Sequence, residues 1–74
     1  MKPKDFSYEV VERIAVLSQY GDTTKELNRV SYNGSEPKYD LRSWKRTSTG
    51  EMLLKGLTLN DEEMEILKDA VMKL

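Results

Sequence analysis

From Phe6 to Ser18 the chain is rich in β-branched and aromatic residues, with Tyr8, Val10, Ile14 and Val16 in a two-residue phase. That spacing predicts a long strand. Glu12 interrupts the phase, and Val11 and Leu17 lie on the opposite face. The strand is therefore expected to bend there or to be partly covered on its second face. Tyr20-Gly21-Asp22-Thr23 signals a turn, and Lys25–Tyr32 reads as a second strand. Asn33-Gly34 is a hairpin signal because both residues tolerate positive φ, and Ser35-Glu36-Pro37 lengthens the loop. Lys38–Arg46 is the third strand. Thr47-Ser48-Thr49-Gly50 is a polar turn, and Met52–Leu59 is the fourth strand, where Gly56 predicts a bulge or a close backbone approach.

The period then changes. Asn60-Asp61-Glu62-Glu63 opens a helix, with Asn60 as N-cap, Glu63 at the capping-box position and three acids facing the positive end of the dipole. Capping explains these carboxylates better than a paired-acid catalytic site does. Along the helix to about Lys73, Ile66, Ala70, Leu74, Leu67, Val71 and Met64 fill an arc of roughly 160°. A stripe that wide predicts two contacts, one to the helix's own sheet and one to a second copy. Met64, Leu67, Ala70, Val71 and Leu74 are the expected dimer interface. Packing on its own core alone is the simpler alternative.

The fold class expected is α+β, ββββα, with four antiparallel strands followed by one C-terminal helix in a single domain spanning residues 1–74. Such a chain is near the lower size limit for a self-sufficient core. With no cysteine and no histidine, disulfides, thiol chemistry and the commonest metal ligand and general base are excluded. Oligomerisation is the remaining means of stabilisation. No nucleophile–base pair, phosphate loop or metal cluster is visible, so neither an enzyme, a cofactor nor a small-molecule substrate is expected. No apolar run is long enough for a membrane span. The opening Met1-Lys2-Pro3-Lys4 is charged but lacks the hydrophobic segment of a signal peptide. A soluble cytoplasmic protein is the default expectation.

Net charge is −1, but it is unevenly distributed. Lys25–Arg46 carries six Lys or Arg against three acids, while the last fifteen residues carry five acids against two lysines. Local rather than total charge determines an electrostatic footprint. Within the basic segment, Lys38, Asp40, Arg42, Trp44 and Arg46 alternate onto one strand face, with Tyr39, Leu41 and Ser43 on the other. A cationic face with an embedded aromatic suits a nucleic-acid backbone and its bases. Trp44 has a core reading and a stacking reading; the charged company on its face favours exposure and stacking. Arg42 reads as a phosphate contact, with Asp40 orienting it or another basic neighbour. Lys38, Arg46 and Lys45 add phosphate attraction, Lys45 only through strand twist because it is on the opposite phase. Asn28 and Tyr32 share a phase and are expected in the same groove. Lys25 and Arg29 share a phase with Leu27 and are weaker candidates.

The segment KELNRVSYNGSEPKYDLRSW at Lys25–Trp44, GEM at Gly50–Met52 and KGLTLNDEE at Lys55–Glu63 closely resembles the transcriptional coactivator positive cofactor four family, and most of all its compact bacterial YdbC-like branch. The resemblance implies a curved four-stranded antiparallel sheet, a C-terminal helix, a two-fold homodimer, and binding of single-stranded or melted DNA with little sequence preference. It implies roles in transcription, replication or repair, and a nucleoid-associated location. By the resemblance, Arg42 matches the basic position after the Asp-aliphatic pair, Trp44 the first of two adjacent aromatics, and Lys55 the Lys of Lys-Gly. Tyr32 lies near the family's hairpin aromatic. The second adjacent aromatic is replaced by Lys45, the Met52–Lys55 connection is shorter than in eukaryotic members, and their Ser-rich acidic region has no counterpart. Two rival readings are an RNA-binding module and a protein-interaction module that docks through the apolar helix.

Overall fold

The computed structural model describes residues 6–74; the charged opening Met1–Lys4 lies outside them. Strands β1 (Tyr8–Tyr20), β2 (Thr23–Tyr32), β3 (Lys38–Thr47) and β4 (Gly50–Leu59) form one antiparallel sheet in the order β1-β2-β3-β4, followed by helix α1 (Asp61–Met72). This is the expected ββββα order. Strand β1 runs two residues past its expected end, to Tyr20. At the β2–β3 loop, Asn33 and Gly34 have φ of 52° and 76°, the left-handed conformations that the Asn-Gly pair predicts. Asn33 also ties down the start of β1, exchanging hydrogen bonds with the Ser7 backbone through its own N–H and side-chain oxygen.

Three bulges in β1 overturn its expected phase. Val11, Ile14 and Leu17 are each an extra residue against β2, so the partners run Val10↔Val30, Arg13↔Asn28, Val16↔Glu26 and Gln19↔Thr24. The repeat on that face is three residues, not two. Ile14 therefore leaves the phase of Val10 and Val16, Arg13 enters it, and Glu12 pairs with Arg29 on the other face. Each bulge also adds twist and bend.

The accumulated bend curls the sheet. In a flat sheet, β1 and β4 would lie three strand spacings, about 14 Å, apart. Here side chains of Tyr8 and Arg13 on β1 reach Glu51 on β4. We call the enclosed surface the inner face. It is formed by the even-numbered residues of β2 and β3, which are matched in register as Thr24↔Trp44, Glu26↔Arg42 and Asn28↔Asp40.

The core sits on this inner face and is unusually polar. Val30 and Trp44 are buried, alongside Thr24, Glu26, Asn28 and Asp40. The other sheet face carries half-buried Leu27 and Leu41, over which α1 lies. Asn60 caps α1 as expected: its side chain accepts from the Glu63 backbone N–H at 2.7 Å, and the Asn60 backbone N–H donates to the Glu63 carboxylate at 2.9 Å. No residue of α1 is buried. Among the described residues, no helix is long and apolar enough to cross a membrane.

Candidate nucleic-acid interface

Two buried carboxylates organise the inner face, each directly across the ladder from a residue of the other's cluster. Asp40 is fully buried. It accepts from Arg42 Nε at 2.7 and 2.9 Å, one bond to each oxygen, and from the Tyr32 hydroxyl at 2.7 Å. Arg42 Nη1 donates onward to the Leu54 carbonyl at 3.0 Å, and its guanidinium carbon lies 5.6 Å from the centre of the Tyr32 ring. Asp40 thus orients Arg42, as expected. The bond to Asp40 raises the Arg42 pKa further. Burial, reinforced by that same carboxylate, pushes the Tyr32 phenol well above its ordinary value.

Leu54 offers its carbonyl because β4 bulges there. Between the pairs Arg42↔Gly56 and Trp44↔Leu53, β4 uses one residue more than β3. Gly56 meets both expectations placed on it. A Cβ at that position would lie 1.9 Å from Arg42 Cβ and 2.6 Å from the Leu41 carbonyl oxygen.

Glu26 is the second centre. Its carboxylate accepts from Thr24 Oγ1, from Asn28 Nδ2 at 3.0 Å, from Arg13 Nη1 at 3.2 Å and from Arg46 Nη1 at 2.9 Å. Burial alone would raise the Glu26 pKa, but the bonds from Thr24, Asn28 and Arg46 outweigh it and hold the carboxyl below its ordinary value. Arg46 Nη1 also reaches Thr24 Oγ1 at 2.7 Å. A third carboxylate, Glu51, lies 3.9 Å from Arg13 Nη2 and 3.6 Å from Arg46 Nη2, and accepts from the Tyr8 hydroxyl at 3.0 Å.

Trp44 corrects the stacking expectation. Its side chain is wholly buried, packed 5.6 Å from the Tyr8 ring and beneath the Arg46 guanidinium at 5.9 Å. Of the charged neighbours that argued for exposure, Arg42 is paired by Asp40 and Arg46 by Glu26, which makes room for an indole among them, while Lys38 is exposed. Among the described residues, Trp44 Nε1 is the one buried side-chain nitrogen or oxygen without a hydrogen-bond partner. Asn28 lies in the inner-face groove it was expected to line, but as part of its buried floor, with its amide committed to Glu26.

The exposed aromatic surface lies elsewhere. Phe6, Tyr8 and Tyr32 form a cluster with ring centres 5.9–6.4 Å apart, and Phe6 is 62 % exposed. The Phe6–Tyr8 part of this cluster escaped sequence reading because both residues were absorbed into the expected first strand. Arg13 escaped because a two-residue phase puts it on the wrong face. Glu26 shares the phase of Asn28 and Tyr32, which was the available signal.

The remaining candidates divide in two. Lys38 and Arg46 belong to the inner-face register, Lys38 exposed and Arg46 partly so. Lys45 is exposed on the opposite phase, pairing with Thr23 and Met52. Lys55, in the β4 bulge, shares a shallow cleft with Lys25, Leu41, Arg42 and Ser43, apart from the Glu26 cluster. Of the expected dimer residues, Met64, Leu67 and Val71 line an apolar groove of about 360 Å³ with Leu17, Leu27 and Leu41. Ala70 and Leu74 are exposed and lie outside it.

Residues 21–70 match the family model described as Transcriptional Coactivator p15 (PC4). The chain is also 38 % identical over 66 residues to an uncharacterized protein of Treponema pallidum (strain Nichols), covering 88 % of this chain and 75 % of that one. That bacterial relative fits the compact branch to which the motifs pointed.

Proposed function

The chain belongs to the Transcriptional Coactivator p15 (PC4) family, which binds single-stranded DNA, acts in transcription and is not enzymatic; on that premise we propose that it is a homodimeric, sequence-nonspecific single-stranded DNA-binding protein. The observation that carries this reading is the inner face itself. Arginines held on buried carboxylates border a cluster of partly exposed aromatic rings, so phosphates and bases find partners on one surface.

In this reading the bases stack on Phe6, Tyr8 and Tyr32, while Arg42, Arg46 and Lys38 contact the backbone. Lys45 and Lys55 contribute longer-range attraction from the edges. Trp44 and Asn28 form the floor and act by fixing the ring and guanidinium positions above them. The open apolar groove under α1 supports dimerisation through Met64, Leu67 and Val71, because half-covered leucines of a small sheet gain most from a second copy, and the exposed Ala70 and Leu74 would extend that contact. Protection of unpaired DNA on the bacterial nucleoid during transcription, replication or repair is the cellular role that fits.

Fluorescence anisotropy with oligo-dT, RNA of equal length and the corresponding duplex tests the proposal. Oligo-dT is expected to bind most tightly, with an affinity that falls with salt. Preference for RNA would replace DNA as the ligand. Absence of binding to all three would leave the apolar helix face as the functional surface.

A further inference from the structure

Glu26 and Glu51 contact the same two arginines in different ways. Glu26 is nearly inaccessible, with each oxygen accepting from one arginine and one neighbouring polar side chain. Glu51 is 28 % exposed, and its contacts to Arg13 Nη2 and Arg46 Nη2, at 3.9 and 3.6 Å, are too long for hydrogen bonds. The Tyr8 hydroxyl donates to its other oxygen. Glu26 thus anchors both guanidiniums from below, while Glu51 balances the charge of the groups they leave unused.

We propose that Arg13 and Arg46 form a phosphate subsite in which Glu51 is a resident, displaceable anion. The proposal rests on the reading of the protein as a single-stranded DNA binder. A backbone phosphate entering between the two Nη2 groups would make the short charge-assisted bonds that Glu51 does not, and the freed Tyr8 hydroxyl is a third donor. Both guanidiniums keep their places as Glu51 leaves, because Glu26 still holds their Nη1 groups. Beside them opens a cavity of about 490 Å³, lined by Arg13, Ile14, Ala15, Val16, Asn28 and Arg46 along with Glu26. Ile14 and Val16 are substantially exposed there, an apolar wall for the sugar or base attached to that phosphate. Glu51 therefore lowers affinity, because each phosphate that enters must first displace a carboxylate.

The test is oligo-dT titration across salt concentrations with Glu51→Gln, which keeps an acceptor for Tyr8 and removes the charge. Tighter binding is expected, with the slope of log K against log salt steeper by about 0.7, or about 2.6-fold more affinity lost between 50 and 200 mM salt. Glu12→Gln makes the same charge change on the other face of β1 and is expected to leave the slope unchanged. Arg13→Gln in the otherwise unaltered chain should shallow the slope by a similar amount, and this arm stands even where Glu51→Gln does not fold. Equal effects of Glu51→Gln and Glu12→Gln, or an unchanged slope with Arg13→Gln, would overturn the subsite. Failure of the unaltered protein to bind oligo-dT would instead overturn the DNA-binding reading itself.

Discussion

Tyr8 and Glu51 sit on the two outermost strands of the sheet, yet the Tyr8 hydroxyl donates to the Glu51 carboxylate at 3.0 Å. This bond closes the inner face, and the three bulges of β1 make it geometrically possible. Burial, together with the neighbouring Glu51 charge, raises the Tyr8 pKa, so the phenol remains a donor throughout the physiological range. The closure turns a four-stranded sheet, which would otherwise expose both faces, into a trough with a buried polar floor.

Trp44 is the test of that floor. Trp44→Ala is expected to destabilise the protein by about 3–5 kcal/mol, the usual cost of emptying a large aromatic site. Trp44→Phe should cost much less than the alanine change, because the indole N–H it removes makes no hydrogen bond. Urea denaturation of both variants distinguishes this from an exposed stacking role, for which neither change would shift the midpoint.

Arg42→Ala leaves Asp40 buried with only Tyr32 for a partner. A loss of about 3–5 kcal/mol is expected, as for other buried pairs broken from one side. Chemical denaturation measures this loss, and DNA binding by the folded fraction reports any phosphate contact separately.

Gly56→Ala is expected to destabilise by about 2 kcal/mol or more, since the new methyl group meets β3 backbone as well as the Arg42 side chain. Thermal unfolding checks this. Ordinary stability would mean that β4 can move away from β3 at the bulge without cost.

The Glu26 carboxyl has its pKa lowered in the folded state. Its stabilising contribution is therefore complete above the ordinary glutamate value and is lost as pH falls through the lower folded one. Stability measured from pH 7 downward should hold near neutrality and fall below about pH 4.5. Glu26→Gln should be less stable at neutrality and show a shallower acid limb.

Dimerisation has its own measurement. Leu67→Asp places a charge in the apolar groove beneath α1 and should convert a dimer to monomer in sedimentation equilibrium. A monomeric unaltered protein would contradict the proposed second copy.

Much of this architecture was legible in the sequence. The Asn33-Gly34 hairpin, the Gly56 bulge and the Asn60–Glu63 capping box each depend on a few adjacent residues with narrow conformational or bonding requirements. Which residues of β2 and β3 share a face followed from simple alternation. Strand β1 did not, because one extra residue every third position moves Arg13 inward and Ile14 out of phase, and no single residue there marks a bulge. Trp44 was misplaced for a related reason. Alternation shows that Trp44, Asp40 and Arg42 share a face, but not that the face curls closed, and closure is what makes buried ion pairs there tolerable.

The function proposed for this protein requires single-stranded DNA to lie on the inner face. Titrating the isotope-labelled protein with oligo-dT while recording backbone and arginine side-chain NMR spectra tests it most directly. The largest shifts are expected at Phe6, Tyr8, Arg13, Tyr32, Arg42 and Arg46, with the groove lined by Leu27, Leu41 and Leu67 little affected. Shifts concentrated at that groove, with the inner face unchanged, would contradict the account.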